Sequence, residues 1–181
     1  MAEIPKPDEE TLEARRQEVL AAVGVTLLSV QSAEKVVQGS MRWALPRQGI
    51  TTLEDLERQT AEEAKKTLGY FLDQLRRRAF VEEQFDADLK EFLQKRNTFA
   101  HDLVSVEGIN FNTIDGLGVA NTFLFRLTSL SIHVTRVFMG LMRLWQQQIG
   151  MKDDFADNEF FRHIDEEYRP LAEKTFFRKP Q

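Results

Sequence analysis

The segment Arg96-Asn97-Thr98-Phe99-Ala100-His101 contains the residues of this chain best suited to chemistry. It places a permanent cation, an amide and an imidazole within about one and a half turns of helix. The arginine side chain is always protonated, and its planar fork matches the oxygens of a phosphate. The histidine side chain can give or take a proton near neutral pH. A site that cleaves a phosphodiester without a metal ion needs little more.

Composition excludes several classes of protein. The 181 residues are 42% apolar and 29% charged, which is typical of one soluble globular domain. The chain has no cysteine, which excludes disulfide frameworks and thiolate metal sites. No histidine pair has metal-ligand spacing, so neither a metal nor another cofactor is expected. The net charge of −5 argues against a protein that coats nucleic acid without specificity.

The N-terminal region indicates a cytoplasmic protein. Its first ten residues are acidic, whereas a signal peptide begins with basic residues followed by an apolar run. The longest mostly apolar stretch, Val19 to Val30, is too short to span a bilayer. We therefore expect a soluble protein with no membrane partner.

Periodicity predicts helices on both sides of a break at Pro46 to Gly49. The first helix is expected from Glu9 to Trp43, with Glu34 on an otherwise apolar stripe that is formed by Leu20, Val23, Leu27, Val30, Val37 and Met41. After the break, Thr51 and Glu54 have capping-box spacing. They start a second helical region, in one or two pieces, whose inward residues are Leu68, Phe71, Leu72 and Leu75.

The segment that carries the motif is expected to form a third helix, from Phe85 to His101, followed by a glycine-rich loop. The fourth helix, about Leu117 to Gly150, has an apolar face wide enough for a central helix or for one that also meets a partner chain. Its buried residues are expected to include Ala120, Leu124, Leu127, Val134, Phe138, Leu141 and Trp145. Its basic strip, Arg126, His133, Arg136 and Arg143, is either a solvated face or an RNA contact.

Together these patterns predict an all-α fold, and no alternating pattern predicts a strand. Residues 1–150 are expected to form an antiparallel bundle of four to five helices. Residues 151–181 are acidic and rich in aromatic side chains, and they are expected to dock on the bundle or on a second subunit.

The sequence from Lys95 to His101 resembles the signature of the HEPN superfamily, which is named for its occurrence in higher eukaryotes and prokaryotes and for nucleotide binding. That signature is an arginine, usually followed by a polar residue, and then a histidine after four to six residues; here four intervene. The stretch from Thr67 to Leu72 before the motif helix, and Gln31 and Glu34 in the first helix, are also similar. The likeness covers about residues 15 to 148.

The resemblance implies a metal-independent endoribonuclease that acts in toxin–antitoxin or antiviral defence. Such proteins work as homodimers whose motifs face each other across one cleft, and some have an antitoxin or another defence protein as a partner. By this likeness, Arg96 would bind the scissile phosphate and His101 would transfer the proton. Asn97 would orient either of these two groups. Lys95 would help to bind RNA, and Glu34 and Asp102 would orient the site. Toxins that are modified by a nucleotidyltransferase antitoxin carry a tyrosine where this chain has Leu103, which argues against that form of control.

Helix geometry leaves a structural alternative open. Side chains five positions apart, such as Arg96 and His101, point about 140° apart on a helix. Either Arg96 reaches around its helix or a second subunit completes the site. Alternatively, Arg96 forms a salt bridge with Glu34 or Asp102, and His101 caps the last carbonyls of its helix. Glu34 itself either pairs with Arg96 or is exposed at a helix bend. The chain would then be a non-catalytic helical interaction module or nucleotide-binding module.

Overall fold

The computed structural model describes residues 7–46, 52–63, 65–152 and 157–178, and these residues are mainly helical. The predicted all-α class is confirmed. In chain order the helices are α1 (Pro7–Trp43), α2 (Leu53–Glu63), α3 (Leu68–Arg78), α4 (Glu83–His101), α5 (Ile114–Gln148), α6 (Glu159–His163) and α7 (Arg169–Thr175). A turn of 3-10 helix, Leu103–Ser105, follows α4, and a π-helical turn, Ile164–Tyr168, joins α6 to α7.

Two short strands were not predicted from the sequence. β1 (Ala79–Val81) follows α3 directly and pairs antiparallel with β2 (Phe176–Arg178). The expectation of no strand was therefore wrong. Three residues are too few to show an alternating pattern, and the pairing joins segments that lie far apart in the sequence.

The longest helices, α1 and α5, lie side by side and run in the same direction. The hydroxyl oxygens of Thr26 and Thr128 are 2.9 Å apart, and the ring centroids of Trp43 and Trp145 are 5.9 Å apart. Both contacts join residues that are 102 positions apart, so the residue numbers of the two helices increase in the same direction. The prediction of an antiparallel bundle is therefore wrong for the pair α1 and α5. α4 does run antiparallel to α5, because its beginning contacts His133 and its end contacts the ring of Phe123.

The buried face of α5 agrees with its heptad pattern. Of the residues expected there, the structure buries Ala120, Leu124, Leu127, Val134, Phe138 and Leu141, and it leaves Trp145 half-buried. The main core lies between this face and the apolar residues of α1, α3 and α4, which include Met41, Phe71, Leu72, Leu89 and Phe92. A smaller cluster joins Val19 to the beginning of α5 through Leu117.

The apolar stripe predicted on α1 is wrong at Leu20 and Leu27, whereas Val23 is partly buried against the smaller cluster. Val30, Val37 and Met41 are buried as expected, but the side chains of Leu20 and Leu27 are 51% and 45% exposed. In this part of α1 the residues that face the bundle are Val19, Thr26 and, one turn later, Val30 and Ala33. The polar Thr26 can occupy the interior because its hydroxyl bonds to that of Thr128 on α5.

Two helix starts show local capping. The capping box expected at Thr51 lies outside the described residues, but Thr52 and Asp55 cap α2 reciprocally, with Asp55 N donating to Thr52 Oγ1 at 3.1 Å. Glu82 caps α4 by accepting from the backbone N–H groups of Gln84 and Phe85. These two bonds lower the pKa of the Glu82 carboxyl below its ordinary value.

The C-terminal segment packs against α5 over its described part. A side chain at Gly140 would come within 2.3 Å of the carbonyl oxygen of Tyr168, so glycine allows the close approach. Arg143 binds both carboxylate oxygens of Asp165, at 2.6 Å from Nη2 to Oδ2 and 3.0 Å from Nε to Oδ1. Ile164 and Ala172 are buried at this contact.

Candidate functional site

The motif occupies the last two turns of α4. The preceding turns are fixed by Leu89 and Phe92, which are fully buried. Phe99, in the middle of the motif, packs against both the main core and the smaller cluster. The apolar side chain at this place therefore anchors the turn that carries the polar ones. Phe99 was not predicted as a site residue, although an apolar side chain between polar neighbours on an amphipathic helix is typical of a buried contact.

Arg96 is held from two sides. Its Nε donates to Oε1 of Glu34 on α1 at 2.5 Å, and its Nη1 donates to Oδ1 of Asn97 at 3.1 Å. The side chains of Arg96 and Glu34 are 28% and 20% exposed, so the ion pair is mostly, but not fully, shielded from water. Nη2 makes no hydrogen bond to any residue that the structure describes. The guanidinium is thus oriented and keeps donor capacity.

His101 is the last residue of α4 and is exposed. Within the described part of the chain, its imidazole has no hydrogen bond or ion pair. The end of the helix is capped instead by the backbone of Asp102, whose N–H donates to the carbonyl oxygen of Thr98 at 2.8 Å. The carbonyl of Asp102 accepts in turn from the N–H of Ser105, and its carboxylate is exposed. The imidazole therefore faces solvent and does not act as a helix cap.

Lys95 does not join this group. Its Nζ lies 4.9 Å from the ring centroid of Phe123 on α5 and 3.9 Å from Oε1 of Glu91. One position along a helix turns the side chain by about 100°, so Lys95 faces α5 whereas Arg96 faces α1. The structure thus brings together Arg96, Asn97 and Glu34, and it directs Lys95 elsewhere.

The basic strip of α5 is bound within the chain. Arg126 forms a bidentate pair with Glu91, and its hydrogen bonds hold the pKa of that carboxyl below the ordinary value. Glu91 raises the pKa of Arg126 in turn. The remaining members also face partners: His133 lies 3.8 Å from Asp88, Arg136 bonds to Tyr168, and Arg143 binds Asp165. The strip is thus engaged with α4 and the C-terminal segment, which sequence patterns could not show.

The loop between α4 and α5 is fastened to the bundle. Arg16 donates to the carbonyl oxygen of Phe111 at 3.2 Å. A side chain at Gly116 would meet the backbone of Asn110 at 2.3 Å, so this glycine lets the loop lie directly against α5. Ile109 and Phe111 pack beside Val19 in the smaller cluster. The loop that follows the motif helix is therefore held against both α1 and α5.

No group of His, Asp and Glu side chains within the described ranges is arranged to hold a metal ion. No protein-family model, no curated protein and no solved structure matches this chain.

Proposed function

We propose that this protein is a metal-independent endoribonuclease of the HEPN type, with Arg96, Asn97 and His101 at its active site. The observation that carries the proposal is the state of Arg96. Its guanidinium is oriented by Glu34 and Asn97, its Nη2 has no hydrogen bond to the described residues, and an exposed imidazole follows five residues later. A fixed cation with spare donors suits a phosphate, and an accessible imidazole suits proton transfer.

The chemistry needs no outside reactant except RNA. His101 takes the proton of a ribose 2′-hydroxyl, and the freed oxygen attacks the adjacent phosphorus. The bond from phosphorus to the 5′-oxygen breaks, and that oxygen takes a proton from a second imidazolium. The products are a 2′,3′-cyclic phosphate and a 5′-hydroxyl. Arg96 stabilises the charge that builds on the phosphoryl oxygens, and Asn97 keeps Arg96 in place.

A homodimer completes this site. Because Glu34 holds Arg96 toward α1, and His101 leaves the helix about 140° away, one copy does not aim both groups at one phosphate. Two copies supply two arginines and two imidazoles to a shared cleft. In such a cleft one histidine acts as the base and the other as the acid. Asp102, exposed beside His101, is suited to orient that imidazole.

A role in toxin–antitoxin or antiviral defence, with a partner protein that restrains or triggers cleavage, belongs to the same proposal. It rests on the likeness of the motif. The cytoplasm is the expected location of the RNA substrate.

The bond from Arg96 to Glu34 also favours a second candidate, a non-catalytic helical module. A guanidinium that is already paired contributes to stability whether or not RNA is bound. On this account Arg96 and Glu34 join α4 to α1, and His101 is a surface residue.

Cleavage of a single-stranded RNA by the purified protein in excess chelator separates the two candidates. The nuclease gives fragments that end in 2′,3′-cyclic phosphate, and Arg96→Ala abolishes them. His163→Ala, which changes a histidine remote in sequence from the motif, is the matched control and should cleave normally. An inactive wild-type protein would leave only the module. Cleavage that persists in folded Arg96→Ala would contradict both candidates, because the protein would then cut RNA without the motif arginine.

A further inference from the structure

Between residues 20 and 34, the side of α1 that faces away from the bundle carries regularly spaced residues. Leu20, Gly24, Leu27, Gln31 and Glu34 follow one another at alternating steps of four and three residues, so they lie on one side of the helix. We call these five residues the outer stripe. The first four are exposed, and Glu34 at its end is half-buried by Arg96. This is the spacing of a two-helix seam.

The fold of one chain does not need this stripe. Val19, Thr26, Val30 and Ala33 already supply the face that packs against the bundle. In the most apolar 18-residue window of the helix, only 22% of the residues are buried. No charged residue occurs between Glu18 and Glu34. An apolar, uncharged helix surface left in water is typical of a contact with another molecule.

Gly24, in the middle of the stripe, points to a second helix. A side chain there would meet no atom of the described residues within 4 Å, so their packing gives no reason for glycine. Glycine inside a helix is unfavourable compared with alanine. The close approach of another backbone would account for it.

Two charged pairs flank the stripe within the chain, whereas Lys35 beside Glu34 is exposed and has no ion pair among the described residues. At one end Arg16 lies 2.6 Å from Glu13, and at the other Arg96 lies 2.5 Å from Glu34. In a symmetric contact a residue near the two-fold axis faces its own copy, so an unpaired charge would meet a like charge. A surface whose centre carries no charge is complementary to a second copy of itself. These observations favour a second copy of this chain as the occupant.

We propose that two copies pack along their outer stripes with the α1 helices parallel and the two-fold axis running between them. Each leucine then meets the same leucine of the other copy, and the two ion pairs meet at one level. The opposite orientation would set Glu34 beside Leu20 of the other copy and dehydrate an ion pair against an apolar side chain. The contact can be tested without any activity. Its consequence for catalysis rests on the proposed function: it brings both Arg96 residues to the same end of the seam.

The absence of cysteine allows a direct test in the full chain. Leu20→Cys and Leu27→Cys should each form a disulfide-linked dimer under mild oxidation. Phe125→Cys is the matched control, because this apolar residue of α5 is 74% exposed and lies outside the stripe. It should stay monomeric on denaturing gels. If only Leu27→Cys cross-links, the two α1 helices are antiparallel. If only Phe125→Cys cross-links, the contact between the copies is formed by α5. Either result overturns the proposal.

Light scattering in solution provides the second measurement. The wild-type protein should have the mass of a dimer, and Leu27→Arg should have the mass of a monomer with an unchanged circular dichroism spectrum. A monomeric wild type, or a dimeric Leu27→Arg, would contradict the contact. α1 is also long and apolar enough to cross a membrane. Flotation with phosphatidylcholine–phosphatidylglycerol vesicles that is lost in Leu27→Arg would assign the stripe to lipid and overturn the proposal. If the protein is a dimer that does not cut RNA, the proposed nuclease function is wrong but the proposed α1 contact is not.

Discussion

The Nε atom of Arg96 on α4 lies 2.5 Å from Oε1 of Glu34 on α1, and this bond joins the motif helix to the helix with the outer stripe. Both side chains keep some contact with water, so the pair lies between a surface salt bridge and a buried one. We therefore expect it to contribute about 1 kcal/mol to stability, above most exposed pairs and below buried pairs.

A double-mutant cycle measures that contribution. Arg96→Ala and Glu34→Ala should each lower the free energy of urea unfolding by about 1 kcal/mol, since each leaves one half-buried charge without its partner. The double variant should lose clearly less than the two single losses combined. If the losses are additive, the two side chains do not stabilise each other.

Mixing two inactive variants tests whether the site is shared between subunits. Arg96→Ala and His101→Ala should each be inactive alone. After they are unfolded and refolded together, mixed dimers with one intact arginine and one intact histidine in the same cleft should recover part of the RNA cleavage. Refolding each variant separately and then combining them under conditions without subunit exchange is the control. No recovery in a proven mixed dimer would contradict a cleft in which one arginine and one histidine from different subunits suffice for cleavage.

Stability at low pH should depend on Asp86, which links α3 to α4. Partial burial alone would raise the pKa of this carboxyl, but hydrogen bonds from Lys90 and Arg76, with N–O distances of 2.7 Å, outweigh it and lower the pKa. A carboxyl whose pKa is lower in the folded state stabilises the protein above its unfolded pKa, and the contribution disappears as the pH falls through the folded pKa.

Asp86→Asn should accordingly be less stable than the wild type at pH 7 by about 1 kcal/mol. The difference should shrink as the pH falls below about 4, the ordinary range of an aspartate. Urea unfolding of both proteins across this range is the measurement. A difference that stays constant with pH would show that the carboxylate charge of Asp86 does not matter.

Gly140 should not tolerate a side chain. A Cβ atom there would lie 2.3 Å from the carbonyl oxygen of Tyr168, and the close contact involves backbone that cannot easily move. Gly140→Ala should lower stability by about 1–3 kcal/mol and loosen the C-terminal segment. Gly39→Ala is the matched control, because that site in α1 is open, and it should be neutral or slightly stabilising. Equal stability of the two variants would contradict the packing of Tyr168 on α5.

The sequence predicted helix ends and buried positions best where they depend on the residues of a single helix. Six of the seven residues that the heptad pattern of α5 named are buried, and α4 ends at His101 as expected. On α1 the pattern failed because the helix carries two apolar stripes. Periodicity finds both stripes but does not tell which one faces the bundle. Leu20 and Leu27 belong to the outward one.

Contacts between distant segments were beyond sequence reasoning for a different reason. The pairing of β1 with β2 and the partners of Arg126 and Arg143 depend on how the helices are arranged in space. A local pattern contains no such information. The bond between Arg96 and Glu34 was one of two alternatives, since Asp102 was also within reach along the chain. Only the placement of α1 beside α4 distinguishes them.

The central claim is that Arg96 and His101 cleave RNA, and the cleavage rate of His101→Ala tests it most directly. The variant should fold like the wild type, because the imidazole is exposed and has no hydrogen bond to the described residues. In excess chelator its single-turnover rate on a single-stranded RNA should be lower by about a hundredfold or more, as expected for the loss of a general acid–base group. A wild-type rate in the folded variant would contradict the account.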